Sequence, residues 1–333
     1  MGRRVVAAAS LALAVGLGVS GLVSPTWSSF SKTTTNPGNS FASAPDFRAP
    51  TASGSVVLKS QGGTPGYIKQ GAAYTVLASV TDTGNPASGV SSVTGNVSAV
   101  TAGQTAAALA AGSFSAGGTS YNRGSASLTA GASLTEGTKT YSLTSTDVAG
   151  NVGTQSTFSV VVDNTAPTAS DVQTTNVSGG TVGQPQAGDT VVFTFSEPME
   201  PGSILSGWTG ASTNVVVRIA DGGGLLGLGN DALTIRNSAG SAQLPFGSVD
   251  LGRADYRSTF LGLGGDINFT SSPMVMSGSQ VTVTLGTRDD PATNTAGGTS
   301  TMTWGPAATP YDRAANVMTT GSATETGGAD KEF

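Results

Sequence analysis

From Ser55 onward, apolar and polar residues alternate with a period of two. In "AYTVLASVTD", Tyr74, Val76, Ala78 and Val80 fall on one side, and Thr75, Ser79 and Thr81 on the other. In "STFSVVVD", Phe158, Val160 and Val162 alternate with Ser159 and Val161, and "GTKTYSLTSTD" continues the theme. In "TVVFTFSEPME", Val191, Phe193 and Phe195 oppose Thr190, Val192 and Thr194, while "NVVVRIAD" and "QVTVTLGT" are further segments of this kind. A period of two marks a strand with one face buried. Trp304 alternates with Met302, as a core strand residue does. No stretch beyond the first 25 or so residues holds a long 3.6-residue period, so helices are expected to be few. "TAAALAAGSF" near Thr105 looks helical, but its flanking Gly and Phe favour a strand or turn.

A short polar cluster occurs twice. "STDVAGNVGT" and "PYDRAANVMT" both contain Asp-x-Ala-x-Asn-Val, with Asp147 and Asp312 lying 312 − 147 = 165 positions apart. Each precedes a final strand, as a hairpin or arch loop would. Asp bonds backbone N–H groups two residues on, and Gly-Asn supplies the positive φ of a tight reversal. In the second copy Ala315 replaces the Gly, so either Asn316 takes the left-handed conformation or that loop is looser. The second strand of each half ends in an acid, Asp82 and Glu197. The gap to the terminal Asp is 147 − 82 = 65 in one half and 312 − 197 = 115 in the other, leaving 50 extra residues near the Gly-rich run 221–230 and on to about Pro273. Pro167 cannot donate to a ladder and suits a junction. The pattern predicts an all-β chain of two tandem sandwiches, residues 51–166 and 167–333, the second with a Gly-rich insertion.

Composition narrows the chemistry. Charged residues are 11% of the 333, the net charge is −5, and there is no basic patch to neutralise phosphates, so nucleic-acid binding is not expected. His and Cys are absent, which excludes His-based triads, disulfides and the usual zinc sites. A metal site would have to be all-oxygen, which favours Ca2+. "MGRR" followed by the uncharged run Val5–Val23 reads as a secretory signal over residues 1–25, with an uncleaved membrane anchor as its rival. Residues 26–50 then form an extended or disordered segment, rich in Ser and Thr and holding Trp27, Phe30, Phe41 and Phe47.

Two family resemblances are carried by short motifs. Trp27-x-x-Phe30 followed by Asn39-x-Phe41-Ala42-Ser43 resembles the leader and mature start of the TasA/camelysin group. Those are exported bacterial proteins, some of which assemble into extracellular fibres. Val-Asp-x-Thr-Ala-Pro at 162–167 is similar to the close of many bacterial immunoglobulin-like modules, and "FSEPM" with the long β-rich stretch after it resembles the immunoglobulin-like domain of surface-layer proteins. These likenesses imply two immunoglobulin-like domains, a secreted or cell-surface location, and self-association through the N-terminal segment.

Asp82, Asp147, Asn151 and Asp163 are expected to converge at one end of the first sandwich. Three carboxylates and an amide carbonyl would suit Ca2+; the competing reading is that each merely ties its own turn. Glu197, Asp312 and Asn316 are the corresponding set in the second sandwich. "GLGNDAL" and "GLGGDIN" match calcium-binding nonapeptides in part, but Asp231 and Asp266 lie 266 − 231 = 35 apart without tandem copies, which favours turn loops. Glu197 and Glu200 are the nearest acid pair for a hydrolase, but Pro198 between them makes the stretch a turn. The sequence is therefore read as a non-catalytic secreted surface protein, a spacer or component of an extracellular layer or matrix. The alternative is an adhesion module for a glycan or cell-wall polymer. A carboxylate-based hydrolase is the remainder, and contact with membrane is expected only through the signal segment.

Overall fold

A computed structural model describes residues 46–222, 229–257, 265–289 and 294–333. The signal segment 1–25, most of the segment 26–50, and the leading residues of "GLGNDAL" and "GLGGDIN" lie outside the described residues. Among the described residues the one helix is the single turn α1 (Pro201–Ile204), and none is long and apolar enough to cross a membrane. Everything else is strand and connection, as the two-residue period requires.

The first sheet is built from β1 (Thr51–Lys59), β2 (Tyr67–Ile68), β3 (Ala73–Thr81), β4 (Val90–Asn96), β5 (Ala107–Ala116), β6 (Thr119–Ser125), β7 (Leu128–Thr129), β8 (Gly137–Asp147) and β9 (Val152–Val162). Its order is β1-β3-β6-β5-β4-β8-β9-β2, with β7 also on β3. The short β2 pairs parallel with β9; the remaining pairs are antiparallel. β1 also lies beside β9, so the sheet curls back on itself into a barrel-like sandwich. The Ala-rich segment near Thr105 is strand β5, where alternate residues Ala107 and Leu109 are buried.

The second sheet holds β10 (Ala169–Thr175), β11 (Thr190–Phe195), β12 (Thr213–Ala220), β13 (Ala232–Arg236), β14 (Ser248–Asp250), β15 (Ile267–Ser277), β16 (Gln280–Thr284), β17 (Thr287–Arg288), β18 (Thr303–Gly305) and β19 (Ala323–Thr324). Its order is β10-β11-β16-β15-β12-β13-β14-β18-β19, with β17 on β15. β19 returns alongside β10 and closes this sheet too. The stretch expected to hold an insertion, Asp221 to Pro273, instead carries β13, β14 and the start of β15. Its described part is woven into the sheet.

Each sheet encloses its own apolar cluster. The first contains Tyr74, Val76, Ala78, Val80, Val160 and Val162, the predicted inner faces of β3 and β9. The second contains Val191, Phe193 and Phe195 of β11 and the pair Met302 and Trp304. Trp304 is fully buried, meets Phe193 and Phe195 edge-on at ring distances of 5.1 Å each, and donates its indole N–H to Phe246 O at 2.6 Å. Residues 46–333 nevertheless form one compact unit, so the two cores are joined rather than strung apart.

Candidate functional site

The two Asp-x-Ala-x-Asn loops have the same construction. Asp147 ends β8, and its Oδ1 accepts the Asn151 backbone N–H at 2.7 Å while its Oδ2 accepts Asn151 Nδ2 at 2.7 Å. Asp312 does the same for Asn316, at 2.8 Å and 2.8 Å. In both, the Asp amide bonds the Asn carbonyl at 3.1 Å, closing the reversal. Gly150 has φ +93° in the first loop, and in the second it is Ala315, not Asn316, that takes the left-handed conformation, at φ +65°. An L-residue there is strained by roughly 1 kcal/mol. Ala315→Gly is therefore expected to raise stability by about 1 kcal/mol in denaturant unfolding. A loss of stability would show that the Ala315 side chain, itself buried, contributes more than its strain removes.

The second Asn Nδ2 hydrogen goes to a main-chain carbonyl ahead of the sandwich. Asn151 Nδ2 reaches Asp46 O at 3.2 Å, and Asn316 Nδ2 reaches Asp163 O at 2.9 Å. Both partners of each nitrogen are acceptors, so the amide must present nitrogen to them. Asn151 and Asn316 thus turn NH2, not the carbonyl, toward their Asp. The amide-oxygen ligand expected of them is not offered to the carboxylates.

This contact also corrects the grouping of the acids. Asp163 does not join Asp82 and Asp147. The 11 residues of β9 carry the chain about 35 Å from the Asp147 loop to the opposite end of the first sandwich. There Asp163 meets Glu197 and Asp312 of the second sandwich, with carboxylate oxygens within 4.8 Å of one another. The place beside Asp82 and Asp147 is taken by Asp46, again within 4.8 Å. Asp46 falls in the segment 26–50 that the sequence marks as extended or disordered, but residues 46–50 are fastened to the first sheet: Ser145 Oγ donates to Pro50 O at 3.0 Å. A sequence signal for it exists. Asp46-x-x-Ala49-Pro50-Thr51-Ala52-Ser53 repeats as Asp163-x-x-Ala166-Pro167-Thr168-Ala169-Ser170, 163 − 46 = 117 positions on.

The two clusters differ in how their charge is met. In the first, each of the six carboxylate oxygens accepts an N–H. Asp46 takes Arg48 N and Ser88 N, Asp82 takes Gly84 N and Gly89 N, and Asp147 takes both Asn151 groups. The amides of Arg48 and Ser88 hold the Asp46 carboxyl below its usual range. This cluster ties turns.

In the second cluster Glu197 is followed by Pro198, which has no N–H to give. Glu197 Oε1 is buried and accepts no hydrogen bond from any described N–H or O–H group. Burial and then the Asp163 carboxyl beside it push Glu197 up to about 8. Burial also raises Asp312.

The Asp163 cluster lies where the two sheets join. Lys59, at the end of β1, is buried and donates to Tyr67 O and Arg313 O at 2.8 Å each. Burial lowers its ammonium to about 8. Lys69 Nζ reaches Ala315 O at 2.5 Å, Thr64 N reaches Arg313 O at 3.0 Å, and Thr319 N reaches Pro167 O at 3.0 Å. Glu200 points into this joint and accepts Thr64 Oγ1 at 2.6 Å, while Glu197 faces Asp163 and Asp312. An open groove of about 760 Å³ alongside is lined by Thr64, Met199, Pro201, Trp208 and Met276. Trp208 is itself buried there, with its N–H given to Ala211 O.

The partial nonapeptides resolve into separate roles. Asp231 is fully buried and accepts Gly222 N and Arg257 N, tying two loops. Asp266 pairs with Arg218 at 3.1 Å.

No family model matches the chain, and no curated protein matches it. Among solved structures, dimeric latent PorU from Porphyromonas gingivalis is similar over 72% of this chain and 20% of its own length, at 17% identity and a TM-score of 0.20. The chain thus spans about a fifth of that protein. A likeness this slight carries no argument about fold or activity.

Proposed function

We propose that the chain is a non-catalytic, secreted bacterial surface protein, with two tandem immunoglobulin-like sandwiches that act as a stiff spacer in an extracellular layer or matrix. The observation that carries this is the joint between the sheets. Asn316 and Thr319 hold the lead-in after β9 by Asp163 O and Pro167 O, and Lys59, Lys69 and Thr64 of the first sandwich donate to the main-chain carbonyls of Arg313 and Ala315 in the second. A flexible linker would leave those groups to water; here they hold one repeat on the next. The leader 1–25 would export the protein. The segment beyond it would join a second copy or a cell-wall polymer. Ca2+ at Asp163, Glu197 and Asp312 is part of the proposal, because Glu197 keeps a buried oxygen without a hydrogen-bond donor.

Immunogold labelling of intact producing cells is expected to place the protein outside the cell. Calorimetry of the purified protein is expected to show both repeats melting in one transition. Label confined to the cytoplasm, or two well-separated transitions, would overturn the spacer.

A further inference from the structure

We propose that Glu325, Asp330 and Glu332 form a Ca2+ site that fastens the segment 323–333 to the second sheet. The three acids lie within eight residues of chain, "ETGGADKE", which no repeat or motif singles out. Main-chain contacts fold this loop over the sheet. Glu325 N donates to Met302 O at 3.1 Å, and Ser300 and Asp330 exchange N–H to carbonyl bonds at 2.7 and 3.1 Å. Glu332 N donates to the Tyr256 hydroxyl at 2.9 Å. The fold thereby gathers carboxylate oxygens of all three acids within 4.8 Å of one another. Two ligands on opposite sides of one Ca2+ stand about that far apart, at roughly 2.4 Å from the ion each.

The second observation is that Glu325 and Glu332 are buried, each with one carboxylate oxygen left without a donor. Glu332 is 1% exposed and Glu325 is 9% exposed, and the Oε1 of each accepts no hydrogen bond from any described N–H or O–H group. Glu332 Oε2 alone is met, by Thr174 Oγ1 at 2.7 Å. Buried carboxylate oxygens left so are costly unless a proton or a cation joins them. The charges that bear on Glu325 and Glu332 are acids: each other, Asp330, and Asp171 behind Glu325. One proton shared by Glu325 and Glu332 would leave the Asp330 carboxylate beside them unanswered. One divalent cation answers three carboxylates at once. An all-oxygen donor set selects a hard ion, and contiguous loop ligands with bidentate carboxylates suit Ca2+ over Mg2+. Asp330 is exposed and supplies the way in.

The test is thermal melting of the purified protein in excess Ca2+ and in EGTA, with calorimetric titration of Ca2+. Saturating Ca2+ is expected to raise Tm by about 5 °C. Glu332→Gln should lose most of that shift. Asp330→Asn, at an exposed position, should weaken binding at least tenfold, and it serves if the buried variant fails to fold. Asp266→Asn, at an acid that belongs to neither cluster and pairs with Arg218, should keep the shift. No heat of binding and no Tm shift would overturn the site. A shift kept undiminished by both Glu332→Gln and Asp330→Asn would overturn it too.

Discussion

Trp304→Ala is expected to be the most damaging single substitution in the second sandwich, costing about 3–5 kcal/mol and lowering Tm by about 10 °C. The indole is fully buried in β18 and packs edge-on against Phe193 and Phe195 of β11. Phe246 in turn stacks on Phe193 at 4.7 Å, so one ring holds three others in place. Alanine would leave a cavity among these rings and strip Phe246 O of its N–H partner. Trp304→Phe separates the two effects, because it keeps most of the ring contact and removes the donor; about half the loss is expected. Chemical denaturation of the three proteins checks both values. A loss below about 1 kcal/mol for the alanine variant would mean that the rings close over the gap.

Asp312→Ala is expected to cost about 3 kcal/mol, clearly more than Asp147→Ala. Both carboxylates hold an Asn by its backbone N–H and its side chain. Asp312 and Asn316 are buried, whereas Asn151 is half-buried and water can replace its lost acceptor. Removing Asp312 also releases the Asn316 side chain that grips Asp163 O, so the lead-in to the second repeat loosens. Faster amide hydrogen exchange at Thr168 and Ala169 is expected in this variant and not in Asp147→Ala. Part of the loss is offset, because burial already disfavours the Asp312 anion. Equal losses in the two variants would mean that the joint adds nothing to the loop it contains.

The strands were legible in the sequence because their cause is local. A residue's side of a strand depends on its position modulo two, so Tyr74, Val76, Ala78 and Val80, and again Val191, Phe193 and Phe195, could be assigned inward without knowing any partner. The repeated loop was legible for the same reason, since Asp147 and Asp312 each bond an Asn four residues on. Which acids meet was not legible. Asp163 stands 16 residues after Asp147 but at the far end of β9, while Asp46, 101 residues before Asp147, lies against it. Strand length and pairing decide that, and an alternation of period two carries neither. The buried lysine at the joint and the three acids of the loop 325–332 belong to the same class. Their surroundings come from chain segments up to 254 positions away. The sequence by itself determined the local conformations, through side-chain alternation and turn chemistry. Only the tertiary structure decided which charges share a site, because long-range pairing of the sheets sets the distances on which their electrostatics depend.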